Sequence, residues 1–106
     1  MHIPAKIDYI GLIKRDAGLL TVWSARNFTL RIGDSQKAEL VILKNQNVVE
    51  EVLFLNKLKI TKKYTILEDK PCFGIVMEDN KKYLLSVKNI HECQKFHAEM
   101  MHIKKM

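Results

Sequence analysis

Trp23-Ser24-Ala25-Arg26-Asn27-Phe28-Thr29-Leu30 is the stretch that decides the fold. In an extended chain successive side chains point to opposite faces, so Ser24, Arg26, Phe28 and Leu30 share one face. That face runs from polar and cationic to fully apolar within a few residues. Such a gradient suits a strand at the mouth of a small barrel, oily at depth and cationic at the rim. It directs attention to an anionic ligand.

Outward from this strand, short turn signals divide the chain at regular intervals. Arg15-Asp16-Ala17-Gly18 ends a first extended run from Lys6 to Lys14. The second run spans Leu20 to Ile32 and stops at Gly33-Asp34-Ser35. A third, Ala38 to Leu43, is closed by Lys44-Asn45-Gln46-Asn47. Val48 to Leu55 follows, and its Val48, Val49, Val52 and Phe54 favour strand over helix. Lys59 to Ile66 is a weaker fifth run. Pro71 opens a sixth, Cys72 to Met77, and the Glu78-Asp79-Asn80-Lys81 turn leads into a seventh, Lys82 to Val87. This spacing predicts a small antiparallel sandwich or barrel.

The last segment has a different period. Asn89 is a suitable N-cap, and Glu92 three residues on completes a capping-box pattern. Cys93, Phe96, Met100 and Ile103 recur at helical spacing, and Lys104 and Lys105 complement the dipole at the C-terminal end. The expectation is one domain, residues 1–106: seven strands within about 6–87, then an amphipathic helix over about 89–105. The apolar stripe of that helix would plug one end of the barrel.

The 106 residues suffice for one domain, and 47% hydrophobic content supports a real core and excludes a disordered chain. Two prolines and four glycines exclude a low-complexity linker. No apolar run approaches a bilayer span, and no secretory segment follows Met1. Cys72 and Cys93 stand in apolar contexts far apart, which predicts a buried, reduced pair and a cytosolic setting. Eighteen Lys and Arg against twelve acids give a formal charge of +6, which favours a phosphate-bearing partner without naming it.

Three local pieces resemble the pleckstrin-homology family. Gly11-Leu12-Ile13-Lys14-Arg15 resembles its first-strand Gly-x-Leu-x-Lys pattern. Trp23-x-x-Arg26-x-Phe28-x-Leu30 resembles its second-strand Trp-x-x-Arg-x-Phe-x-Leu pattern. Glu92-Cys93-Gln94-Lys95-Phe96 occupies the helix segment where the family places a near-constant Trp, here Phe96. The resemblance runs from about Lys6 to Lys105. It implies a mainly β, seven-stranded antiparallel barrel capped at one end by the C-terminal helix.

Many members of that family bind phosphorylated lipids through a cation ending the first strand and a (Lys/Arg)-x-Arg pair on the second. By resemblance Arg15, with Lys14 adjacent, takes the first position and Arg26 the last. Ser24 stands where the other cation would be, which points away from polyphosphorylated inositides, since these need several convergent charge-assisted bonds. Phosphatidic acid or a monophosphorylated inositide fits the reduced set, with Lys44, Lys81 and Lys82 extending the cationic rim from neighbouring loops. Leu19 and Leu20 stand beside Lys14 and Arg15, where they would enter the acyl region of a bilayer. The acylated, lipid-sensing members of the family share this kind of profile, and likeness to them implies docking at a secretory organelle.

Other readings of the same residues are bland. Cys93 and His97 have the i, i+4 spacing of metal ligands, but a half-buried helix face accounts for them and no second ligand pair appears. Glu50-Glu51 and Glu78-Asp79, adjacent in sequence, are expected to split across a strand or sit in a turn as solvated charge. No nucleophile motif, Gly-rich phosphate loop or paired carboxylate is present, so neither catalysis nor a cofactor is expected. Nucleic acid is disfavoured because 8% aromatics offer no stacking row. A monomeric membrane-recruitment module is the leading reading. A module binding a peptide or partner protein along a strand edge or helix groove is the alternative.

Overall fold

The computed structural model describes residues 6–15, 22–34 and 36–105, the side chains of 63–65 aside. The chain forms seven strands: β1 (Lys6–Arg15), β2 (Ser24–Ile32), β3 (Ala38–Asn45), β4 (Val48–Phe54), β5 (Leu58–Leu67), β6 (Lys70–Met77) and β7 (Lys82–Val87). A single 3-10 turn, Leu55–Lys57, joins β4 to β5, and α1 (Ile90–Lys104) ends the fold. All seven strands form one antiparallel sheet in the order β4-β3-β2-β1-β7-β6-β5. β1 is the centre, paired with β2 through Tyr9↔Phe28 and with β7 through Ile13↔Leu85. The free edges belong to β4 and β5.

The expected mainly β barrel with a C-terminal helix is the observed architecture. The boundaries differ modestly. Leu55 leaves β4 for the 3-10 turn, where it is fully buried. β6 begins at Lys70, so Pro71 lies within a strand, opposite Ile66 of the edge strand β5. Leu19 and Leu20, expected to insert into a bilayer, lie outside the described residues.

The inward faces of the strands meet the helix stripe. Phe28, Leu30, Leu40, Ile42, Phe73, Ile75 and Leu85 are buried together with Cys93, Phe96, Met100 and Ile103 of α1. Burying one such side chain contributes roughly 1.5–3 kcal/mol, so the four helix residues suffice to dock α1. Phe96 is the centrepiece. Its ring stacks on Tyr9 at a centroid distance of 4.3 Å, meets Phe73 edge-on at 5.3 Å and lies 5.7 Å from Phe28. The helix starts where expected: the Asn89 side chain accepts a hydrogen bond from the Glu92 N–H at 2.8 Å. Cys72 and Cys93 are both buried and unlinked. The Cys93 thiol donates to the Pro71 carbonyl at 3.2 Å, and the half-buried His97 ring meets Phe73 edge-on. No helix among the described residues is long and apolar enough to cross a membrane.

Gly11 is set by close approach. A Cβ there would stand 2.0 Å from the Ser86 carbonyl oxygen and 2.9 Å from a Val87 methyl. The obstacle is backbone, so β1 and β7 would have to separate. Gly11→Ala is therefore expected to cost about 3 kcal/mol, the upper range for overpacking. Urea unfolding of the variant measures this directly, and a loss under 0.5 kcal/mol (about the scatter of a neutral surface change) would contradict the close packing.

Candidate functional site

The face predicted from the opening strand exists. Phe28 and Leu30 are buried at depth, and Arg26 and Ser24 lie progressively nearer the mouth, half-buried. Arg15, two residues beyond the buried Ile13, reaches the same mouth from β1. The charge there is different from the expectation. Arg26 forks onto Glu50, its Nε donating to Oε2 at 2.5 Å and its Nη2 to Oε1 at 3.3 Å. Arg15 Nη2 donates to Glu51 Oε1 at 3.2 Å and lies 3.5 Å from Glu50 Oε2. The second Glu51 oxygen accepts from the Tyr83 hydroxyl at 2.6 Å. Two guanidiniums thus face two carboxylates.

Glu50 and Glu51 do not split across the strand. The register passes from Ile42↔Glu51 to Leu43↔Val49, so Glu50 is the extra residue of a β-bulge. A bulge breaks the two-residue alternation, and both carboxylates then reach one set of cations. Their side chains are only 21% and 24% exposed, which corrects the expectation of solvated charge. The Arg26 fork holds the Glu50 carboxyl below the usual carboxylate range. A depressed pKa means this stabilisation is complete above the ordinary carboxylate value and is lost as pH falls through the lowered one.

A second concavity lies on the outer face of the other half of the sheet. Lys14, Leu84, Gly74 and Lys62 are consecutive cross-strand partners, one row across β1, β7, β6 and β5. Val76↔Lys82 forms the next row. Together they make a cleft of about 280 Å³ with Gly74, Val76 and Leu84 as its floor and lysine side chains around it. Arg15, Ile75 and Tyr83 border it, and among the described residues no carboxylate belongs to its lining. Gly74 leaves the floor open because it carries no side chain. Among the described residues neither Lys62 nor Lys82 forms an ion pair, and both are exposed.

Lys14 is anchored at one end of this cleft. Its ammonium bonds Glu68 at 2.7 Å and lies 5.8 Å from the centre of the Trp23 ring, whose N–H also donates to Glu68 at 3.0 Å. Glu68 and Asp69 hold positive φ angles of 55° and 65°, the left-handed pair that a two-residue type I′ hairpin turn requires. The turn between β5 and β6 is thereby tied to the start of β2.

The residues expected at one cationic rim are therefore divided. Arg15, Arg26 and Ser24 are at the mouth, where Glu50 and Glu51 neutralise the two arginines. Lys14 and Lys82 are on the outer cleft. Lys44 is exposed at the end of β3, and Lys81 is exposed in the β6–β7 turn, 4.0 Å from Asp79. Sequence reasoning missed Glu50, Glu51 and Tyr83 and left Lys62 aside. The signal for the bulge was present: Val48-Val49-Glu50-Glu51 breaks alternation inside a strand.

Neither a family model nor a curated protein sequence matches the chain. Among solved structures, the pleckstrin homology (PH) domain of USP37 is similar, with a TM-score of 0.71 at 13% identity. The match covers 94% of this chain and 96% of that one. Near-complete coverage of both chains at so low an identity shows shared architecture: the chain has a pleckstrin-homology-like fold.

Proposed function

We propose that this chain is a non-catalytic membrane-recruitment module that takes one phosphate-bearing lipid headgroup in its outer cleft. Phosphatidic acid or a monophosphorylated inositide is favoured over polyphosphorylated inositides. One observation carries the reading: Lys62 and Lys82, without an ion pair among the described residues, flank an apolar floor, with Lys14, held by Glu68, at one end. Ammonium groups on flexible stems suit a phosphate as point charges, while Val76 and Leu84 suit the first carbons below a headgroup. Small-molecule pockets run from roughly 300 to 1,000 Å³, and a cleft of about 280 Å³, just under the small end of that range, has room for no more than one headgroup. The setting that goes with this reading is peripheral, on a cytoplasmic membrane face.

Sedimentation with vesicles tests it. The chain is expected to pellet with phosphatidylcholine vesicles containing phosphatidic acid, to do so less at high salt, and to stay in solution with phosphatidylcholine alone. Equal pelleting with both vesicles would sink the proposal. Gly74→Val supplies a test that leaves net charge unchanged. A Cβ at Gly74 meets Leu84 and Lys62 side chains at an ordinary 3.4 Å, so the fold accommodates the first carbon and the branches extend over the floor. The variant is expected to remain folded and to lose at least fivefold in affinity for phosphatidic-acid vesicles. A folded variant with full affinity would place the headgroup elsewhere.

A second reading has its own observation. β5 is a ten-residue edge strand paired on one side only, with Ile60 51% and Ile66 59% exposed. Such an edge suits strand addition by an extended peptide. Failure to pellet with either vesicle would favour this protein-binding reading.

A further inference from the structure

At the mouth of the barrel the chain meets its two arginines with its own carboxylates. We infer that Glu50 and Glu51 are specificity-determining residues that close the mouth to multiply phosphorylated ligands, leaving the outer cleft for a single phosphate. This rests on the proposed headgroup binding for its meaning, but its test uses a soluble ligand and no vesicle, so the two readings fail separately.

A planar guanidinium offers a fork that matches either a carboxylate or two phosphate oxygens. The Arg26 fork is already engaged by both oxygens of Glu50, at 2.5 and 3.3 Å. Arg15 is divided between Glu50 and Glu51. Tyr83 supports the arrangement by holding the far oxygen of Glu51 at 2.6 Å. With Ser24 uncharged, the four ionic side chains paired at the mouth among the described residues sum to zero. A ligand with several phosphates would have to displace two carboxylates and would be repelled by them once displaced. The device is geometric as well as electrostatic, because only the bulge at Glu50 brings adjacent residues to bear on the same cations.

Removing both negative charges should uncover the two arginines. The probe is soluble inositol trisphosphate, titrated by calorimetry into the full chain. The wild-type chain is expected to bind it weakly. Glu50→Gln with Glu51→Gln is expected to bind at least tenfold more tightly, since Gln keeps an acceptor for Tyr83 and removes the charge. Adding Arg26→Ala should abolish the gain. If the double variant fails to fold, Glu50→Gln alone keeps the Glu51–Tyr83 bond and is expected to gain about threefold, roughly half of the double variant's free-energy gain on the 1.4 kcal/mol per tenfold scale. Tight binding by the wild-type chain, no gain in a folded variant, or a gain that survives Arg26→Ala would each overturn the inference.

Discussion

Phe96→Ala is expected to lower the unfolding free energy by about 3–5 kcal/mol, the range for an aromatic truncated in a closed core. The ring is fully buried and touches three other aromatic rings from β1, β2 and β6. Those partners belong to different strands, so they cannot all move inward to fill the space. The helix also depends on it, since Phe96 is the middle of the stripe that docks α1. Near the midpoint, a loss of this size corresponds to a fall in Tm of more than about 12 °C for a domain of this length. Thermal and urea unfolding followed by circular dichroism would report it. A loss below about 0.5 kcal/mol, within the range of a surface change, would mean that α1 is not docked as described.

Lys62→Glu combined with Lys82→Glu is expected to reduce affinity for phosphatidic-acid vesicles by at least 30-fold. A lysine at an anionic membrane surface contributes about 1 kcal/mol, and reversing its sign about doubles the change. Two reversals therefore approach 4 kcal/mol, from which screening at physiological salt subtracts. Neither lysine has an ion-pair partner among the described residues, and both are exposed. Their replacement removes no packing from the core, so the variant should unfold within about 0.5 kcal/mol of the wild-type chain, as surface changes do. Sedimentation across vesicle concentrations gives the affinity. A folded double variant that pellets as well as the wild-type chain would mean that the cleft does not hold the headgroup. Arg26→Ala, by contrast, is expected to change vesicle affinity less than twofold, because Arg26 already spends its fork on Glu50.

The fold was legible because its signals are local. Turn residues and Pro71 marked five of the six strand boundaries, and Cys93, Phe96, Met100 and Ile103 marked the buried side of the helix. The Ser24–Arg26–Phe28–Leu30 face was also legible, since alternation alone sets it. The site was only partly so. Lys14 and Lys82 were named as headgroup cations, and both line the outer cleft, but their neighbour Lys62 is 48 residues from one and 20 from the other in the sequence. Cross-strand rows of that kind are set by register, which a single sequence does not display. The neutral mouth was hidden for a related reason. Arg26 and Glu50 meet only because β4 bulges, and a bulge without glycine leaves little more in the sequence than a lapse in alternation.

With a neutral mouth on one face of the sheet and a cationic cleft on the other, the ligand is expected at the cleft. Backbone amide shifts of the isotope-labelled chain, titrated with a short-chain soluble phosphatidic acid, test it most directly. The largest shifts are expected at Lys14, Lys62, Gly74, Lys82 and Leu84. Shifts concentrated at Ser24, Arg26 and Glu50 would contradict it.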